Sequence, residues 1–211
     1  TTAETIALRP TQSADAGLIV RIRGLNSSWD ADSTDVTIGG SGSETDASGT
    51  FIRVNQLEVI GATRNVGIIV AFASGETWNH ASWTREEIVP YAGISKGAHW
   101  SIPRGKKFIP DIFRPTATFS GGYSVKLGGT GFVRKDSTST GVIAILVRNF
   151  GSTWKVFDEV TYNTEQAIQS VSYVERSTDW ISGKSDIMVA VGCTATTTDA
   201  TVWLSGRISK E

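Results

Sequence analysis

The two histidines, His80 and His99, come without the companions that catalysis needs. No serine stands in a G-x-S-x-G elbow, no H-E-x-x-H pair occurs and no glycine-rich phosphate loop opens a helix. Triad, metalloprotease and nucleotide-hydrolysing chemistry therefore find little support, and each histidine reads as a loop or strand-end residue without a ligand. Paired carboxylates can hydrolyse glycosides. Asp158 and Glu159 are adjacent, as are Glu86 and Glu87. Successive strand residues point to opposite faces, so neither pair can flank one sugar bond unless the strand is bulged. In "WDADSTD", Trp29 to Asp35, the spacing of Asp30 and Asp32 is that of calcium-loop ligands. Asp35 stands where such a loop needs Gly and Ser41 where it needs Glu, so the stretch reads as a solvated turn. The single cysteine, Cys193, has no thiol to pair with, and "IMVAVGCTA" places it as an inert core thiol in an apolar strand. "NSS" at Asn26 fits a glycosylation acceptor but means little without a secretory signal. The expectation is a non-enzyme with no catalytic residue, cofactor or metal.

Binding chemistry is better represented. In "HWSIPRGKKFIPDIF", His99 to Phe113, a polar turn from Pro103 to Lys107 separates two apolar runs. Arg104, Lys106 and Lys107, flanked by Trp100 and Phe108, can hold phosphate and stack a base. The balance of 20 Lys+Arg against 21 Asp+Glu, a formal net charge of -1, supplies no long-range field for a polyanion. The trio therefore reads first as a solvated corner, and no nucleic-acid partner is expected. Three of the seven tryptophans, Trp29, Trp78 and Trp83, sit in polar loop sequence. Each is either packed under its own loop or exposed to a partner or a sugar.

The elements that must position these groups are strands. Apolar residues recur at every second position or in short solid runs, separated by Gly, Ser, Thr and Asp. "LIVRIRGL", "TFIRVNQLEVIG", "VGIIVAFAS", "PTATFS", "YSVKLGGTGFV", "VIAILVRNF", "TWKVFDEVTYNT", "IQSVSYVER", "DIMVAVGCTAT" and "TVWLSGRIS" are the clearest. Roughly ten to thirteen short strands so spaced predict an all-β, antiparallel sandwich of jelly-roll-like kind. A helical turn is expected only in "SWTREEIVPYAG", with Thr84 as N-cap and Glu87 completing a capping box. The boundary is expected there, giving an N-terminal β region over 1–83 and a C-terminal β-sandwich over 84–211, either two packed subdomains or one sandwich with a long crossing loop. No run reaches the roughly 20 apolar residues of a membrane span, and "TTAETIALRP" lacks the pattern of a secretory signal. The chain is expected to be soluble, with no membrane partner.

"FIRVNQLEVIGA", "SIPRGKKFIPDIF" and "SDIMVAVGCTATTTDATVWLSGRI" together resemble a family of virion structural proteins of tailed bacteriophages, notably those of marine bacteria and cyanobacteria. That family carries a middle signature of the form Y-T-I-P-A-G-K-T-A-Y, matched here at Ile102, Pro103, Gly105 and Lys106. Arg104 replaces a small residue and Lys107 a Thr. A later P-E-K-T-D-I form is matched at Lys184, Asp186 and Ile187. The resemblance runs from about Ile19 to Ile208 in short turn-and-strand patterns. It implies a non-enzymatic component of the virion, on the capsid exterior or tail, whose partners are other virion proteins. The family has no established catalytic residues to carry over. Pro103 then sets the turn entry, Gly105 permits a positive backbone angle and Lys106 is solvated, while Arg104 and Lys107 are placed to meet an acidic neighbour in an assembly. Particle shells use such modules as closed homo-oligomers, a trimer among them, because closure removes exposed edges. The alternative is a tail-associated module that recognises host surface glycan through Trp29, Trp78 and Trp83.

Overall fold

A computed structural model describes residues 2–76, 85–95, 97, 99–116, 126–127, 129–130, 140–163, 171–172, 180–193 and 201–210. The chain is all-β, built of antiparallel sheets, and its described residues contain one short 3-10 turn, Ser13–Asp15. It divides into two units, Thr1–Gly97 and Ala98–Glu211.

Seven strands make the first unit: β1 (Glu4–Pro10), β2 (Ile19–Leu25), β3 (Ala31–Thr37), β4 (Thr45–Phe51), β5 (Arg53–Ile60), β6 (Ile69–Ala73) and β7 (Glu86–Ile88). They form two antiparallel sheets, ordered β4-β1-β6-β7 and β3-β2-β5. Alternation turns Ile6 and Leu8 of β1, Ile69 and Ala71 of β6 and Ile88 of β7 into one buried cluster with Val20 and Ile22 of β2 and Leu57 and Val59 of β5. The two inner faces thus share a core, as in a β-sandwich. Ala7, Val70 and Phe72, on the other face of their sheet, are also buried. This explains why "IVAFA" is a solid apolar run rather than an alternating one.

Loops are tied into this sandwich by buried polar groups. Asp15 is wholly buried, and its two carboxylate oxygens accept the backbone N–H groups of Val66 at 2.6 Å and Gly67 at 2.9 Å. Asn65 donates through Nδ2 to the carbonyls of Gly67 and Val89. Asp15→Ala strips one buried and one part-buried N–H of their acceptor, so it is expected to cost about 2 kcal/mol. A lowered urea midpoint with an unchanged slope checks this.

The helical turn expected after Thr84 is not what forms. Thr84 lies outside the described residues, and Glu86–Ile88 is strand β7, in register with β6 from Ile69↔Ile88 to Ala71↔Glu86. Pairing buries Glu86 and Ile88 on one side and leaves Glu87 partly exposed, so the period of two overrides the local capping signal. This strand extends the first unit past residue 83, and the division falls after Gly97. "WDADSTD" is likewise mostly strand β3, where Asp35 takes a two-pronged bond from Arg21 at 2.7 and 2.8 Å.

The second unit contains β8 (His99–Ser101), β9 (Lys106–Thr116), β10 (Lys126–Leu127), β11 (Gly129–Thr130), β12 (Thr140–Asn149), β13 (Lys155–Asn163), β14 (Val171–Ser172), β15 (Ser185–Cys193) and β16 (Thr201–Lys210). Two antiparallel sheets, β13-β12-β15-β8 and β14-β9-β16, are accompanied by the β10-β11 pair. β9 is central in its sheet despite Pro110, which cannot donate to a ladder. The register shifts beside it, between the Ser205↔Ile112 and Gly206↔Pro110 pairs, so the proline sits at a bulge that tolerates it. β13 shifts register between the Ile145↔Asp158 and Leu146↔Val156 pairs; Asp158 and Glu159 themselves face successive residues of β12.

Candidate functional site

The Pro103–Lys106 turn is closed by a bond from Lys106 N–H to the Pro103 carbonyl at 3.3 Å. Its central residues are Arg104 and Gly105. Gly105 has φ of +65°, the left-handed value that favours glycine at the third place of a type II turn. The flanking strands do not pair with each other. β8 pairs with β15 and β9 with β16, so the turn carries the chain from one sheet to the other rather than closing a hairpin.

A second crossing runs beside the first. Ile181 exchanges two backbone bonds of 2.9 Å with Phe108, and the chain then enters β15 at Ser185. Ile102 N–H donates to the Ser185 carbonyl at 2.8 Å, and Lys184 N–H donates to the Ile102 carbonyl at 3.0 Å. The two crossings leave no room for a side chain at Gly183, where a Cβ would lie 2.7 Å from the Pro103 carbonyl oxygen and 2.8 Å from that of Lys106. Beneath them Ile102 and Ile181 are buried. The two segments that carry the phage resemblance therefore meet here.

A polar chain crosses the adjoining sheet. Asp186 is buried; Ser101 Oγ donates to its Oδ1 at 2.6 Å, while Arg148 donates to its Oδ2 through Nη2 at 2.6 Å and Nε at 3.3 Å. The Arg148 guanidinium in turn lies 4.5 Å from the centre of the Trp154 ring.

Around the crossings the side chains are basic. Arg104 is exposed at the tip of the turn, and Lys184 is exposed on the second crossing, with a φ of +58°. Lys106 stands opposite Lys210 in the β9–β16 register, and Lys107 opposite Ser209. Lys107 Nζ lies 4.7 Å from the centre of the Trp180 ring, and Trp180 remains 46 % exposed. Lys106 and Lys210 therefore share one face of the strand pair, while Lys107, which meets the Trp180 ring, is on the other. Lys184 was marked by the family resemblance. Lys210 had no local signal because strand pairing alone sets it opposite Lys106, and Trp180 had none because the Ile181–Phe108 bonds bring it to Lys107.

Trp29 is 6 % exposed and packs with Leu25 and Ile52, with Arg53 5.3 Å from its ring centre. The tight turn that Asn26 builds by accepting the N–H groups of Ser28 and Asp30 on its Oδ1 folds the indole inward at a φ of +66°. A residue so placed is core, and as a sugar contact it is ruled out by burial. Trp78, Trp83 and His80 lie outside the described residues. His99 sits in β8 opposite Met188, and Cys193 ends β15 opposite Gly141. Glu86, one of the acids named in the sequence, has a strongly displaced titration. Burial raises its carboxyl from the ordinary 4.5 to about 7, and the charge of Glu87 adds to this, while hydrogen bonds from Glu87 N–H and Ser95 oppose it. Set beside known proteins, the chain matches no family model, no curated protein and no solved structure.

Proposed function

We propose that this chain is a non-enzymatic structural protein of a tailed-phage virion, an exterior component that decorates the capsid. What supports the reading is that the signature turn at Ile102–Lys106 and the later segment at Lys184–Ile187, distant in sequence, are built into one corner by mutual backbone bonds and the close approach at Gly183. Residues that interlock in this way belong to a common framework, as shared family signatures do. A scaffold of paired strands suits a part whose task is to persist and to touch neighbours. In this role its partners are other virion proteins, and it acts as a closed homo-oligomer, for which a trimer is the simplest shell module. A monomer in sizing with light scattering would count against self-association in solution.

Gold-labelled antibody against the chain, applied to intact particles of the phage that encodes it and viewed by electron microscopy, tests the reading. Label over the head is the expected result. Label only at the tail would favour the second reading, a tail-associated module recognising host glycan, which the half-exposed Trp180 beside Lys107 supports. Particles without label would overturn both.

A further inference from the structure

Glu86 is buried in β7, and its Oε2 is shut off from solvent. A short stretch of the same unit covers it. The Ser95 side chain hydrogen-bonds the carboxyl. Gly97 lies so close that a Cβ built on it would collide with Oε2 and sit 3.0 Å from Oε1. Gly97 is itself exposed, so water lies on its outer side. The covering stretch is laid along β5: Val59 N–H donates to the Gly93 carbonyl at 2.7 Å, Ser95 N–H to the Leu57 carbonyl at 2.8 Å, and Leu57 N–H to Ser95 Oγ at 2.8 Å. Gly93, with a φ of +69°, and Gly97 bracket it, and glycine absorbs backbone rotation readily.

An ionised carboxyl held away from water is costly, so on losing its proton Glu86 must gain a path to solvent. A path through β6 would disrupt a strand whose five residues are all buried, whereas a path past Gly97 gives up the three bonds to β5. We infer that Gly93–Ser95 and Gly97 form a clasp operated by a proton, shut over Glu86 while the carboxyl carries it and lifted from β5 once it leaves. The neighbouring charges favour release. Glu87 repels the ionised form. Arg85 turns instead to Glu4 at 2.9 Å and Glu76 at 3.8 Å, Glu58 of β5 to Arg23 at 2.8 Å, and Arg53 of β5 to the Trp29 ring. β6 carries no titratable residue, and Lys96 lies outside the described residues. Sealed, the carboxyl titrates at about 7; released, it returns toward its ordinary 4.5. The open form therefore binds the proton less tightly, so opening increases as pH rises between these values and levels off above them. The inference concerns the first unit alone and does not rest on the virion role.

Amide hydrogen exchange of the full chain by NMR, corrected for the intrinsic pH dependence, tests this at pH 4.5 and pH 8. The amides of Ser95, Leu57 and Val59 report the clasp, and those of β1, paired on both sides, report global unfolding. The clasp amides are expected to open more readily than those of β1, with no response to dilute urea, as local opening requires. Their opening constant should rise on the order of 100-fold from pH 4.5 to pH 8. In Glu86→Gln that rise should vanish; should this variant fail to fold, Glu86→Leu, which is also uncharged, replaces it. Gly97→Ala, whose Cβ meets the carboxyl, should hold the clasp open at both pH values. Clasp amides that exchange only together with β1, with the same urea response, would overturn the inference. So would an opening constant unchanged by pH, or a rise that persists without the carboxyl. Exposure of the Arg85 amide, which donates to the Ala71 carbonyl at 2.7 Å, with the clasp still protected would also overturn it, because the carboxylate would then reach water through β7.

Discussion

Asp186→Ala is expected to destabilise the protein by about 3 kcal/mol, the lower end of the range for breaking a buried ion pair. The low end applies because Arg148 is 34 % exposed in its side chain and water can take over part of its solvation, whereas the Asp186 side chain is only 6 % exposed. Three bonds are lost together: those to Oδ2 from Arg148 Nη2 and Nε, and that to Oδ1 from Ser101 Oγ. Asp186→Asn keeps the volume and one acceptor, so its cost should be roughly half as large. Urea unfolding gives the magnitude, and a double-mutant cycle with Arg148→Ala gives the coupling. The position of Asp186 adds a second readout. Its neighbour Ser185 accepts the Ile102 N–H that fixes the crossing, so loss of the network should loosen the turn beyond it. Trypsin cleavage at Arg104, Lys106 or Lys107 is expected to accelerate in Asp186→Ala before global unfolding sets in. A loss below about 1 kcal/mol with unchanged cleavage would mean that the network is a surface ornament of the sheet.

That network also shows which parts of the molecule local sequence can disclose. β2 and β5 are legible because their apolar residues largely alternate, and β6, β12 and the start of β16 because they are short solid apolar runs. β3 and β4, "ADSTDVT" and "TDASGTF", are not, since each presents polar residues outward and reaches the core only through Val36, Ala47 and Phe51. β7 and β8 are three-residue strands whose extended form is imposed by β6 and β15. The basic turn was legible in its chemistry, down to the positive φ of Gly105, but not in its connection. Whether two flanking runs pair with each other or with remote strands depends on long-range register, which no window of residues encodes. For the same reason Arg104, Lys106 and Lys107 stood out, while Lys210, set opposite Lys106, and Trp180, against Lys107, did not. Burial likewise decides the fate of Trp29, whose polar neighbours hide an inward-facing ring.

The remaining large effect is set by pH. Glu86 is 6 % exposed in β7, and burial, more than the nearby charge of Glu87, raises its carboxyl to about 7. The folded chain therefore holds this proton more tightly than the unfolded chain, whose Glu86 titrates near its ordinary 4.5. Between those values the native state is protonated and the unfolded state is not, so the unfolded state binds fewer protons and stability must fall as pH rises. The stabilising contribution is fully present below about pH 4.5 and is lost by about pH 7, above which the slope vanishes. A shift of this size corresponds to a loss on the order of 3 kcal/mol across the window. Other groups titrate in the same interval, so the diagnostic quantity is the difference between the wild type and Glu86→Gln, whose amide mimics the protonated acid at every pH. At pH 4.5 the two should unfold at similar urea concentrations; at pH 8 the Gln variant should be the more stable, by on the order of 3 kcal/mol. Parallel pH profiles for the two proteins would show instead that the carboxyl reaches water in the native state. A difference that grows from pH 4.5 to about 7 would mean that β7 accepts an ionised carboxylate at neutral pH only at the expense of stability, and that the Glu86–Ile88 edge of the first sandwich is weakened as the pH rises to neutrality.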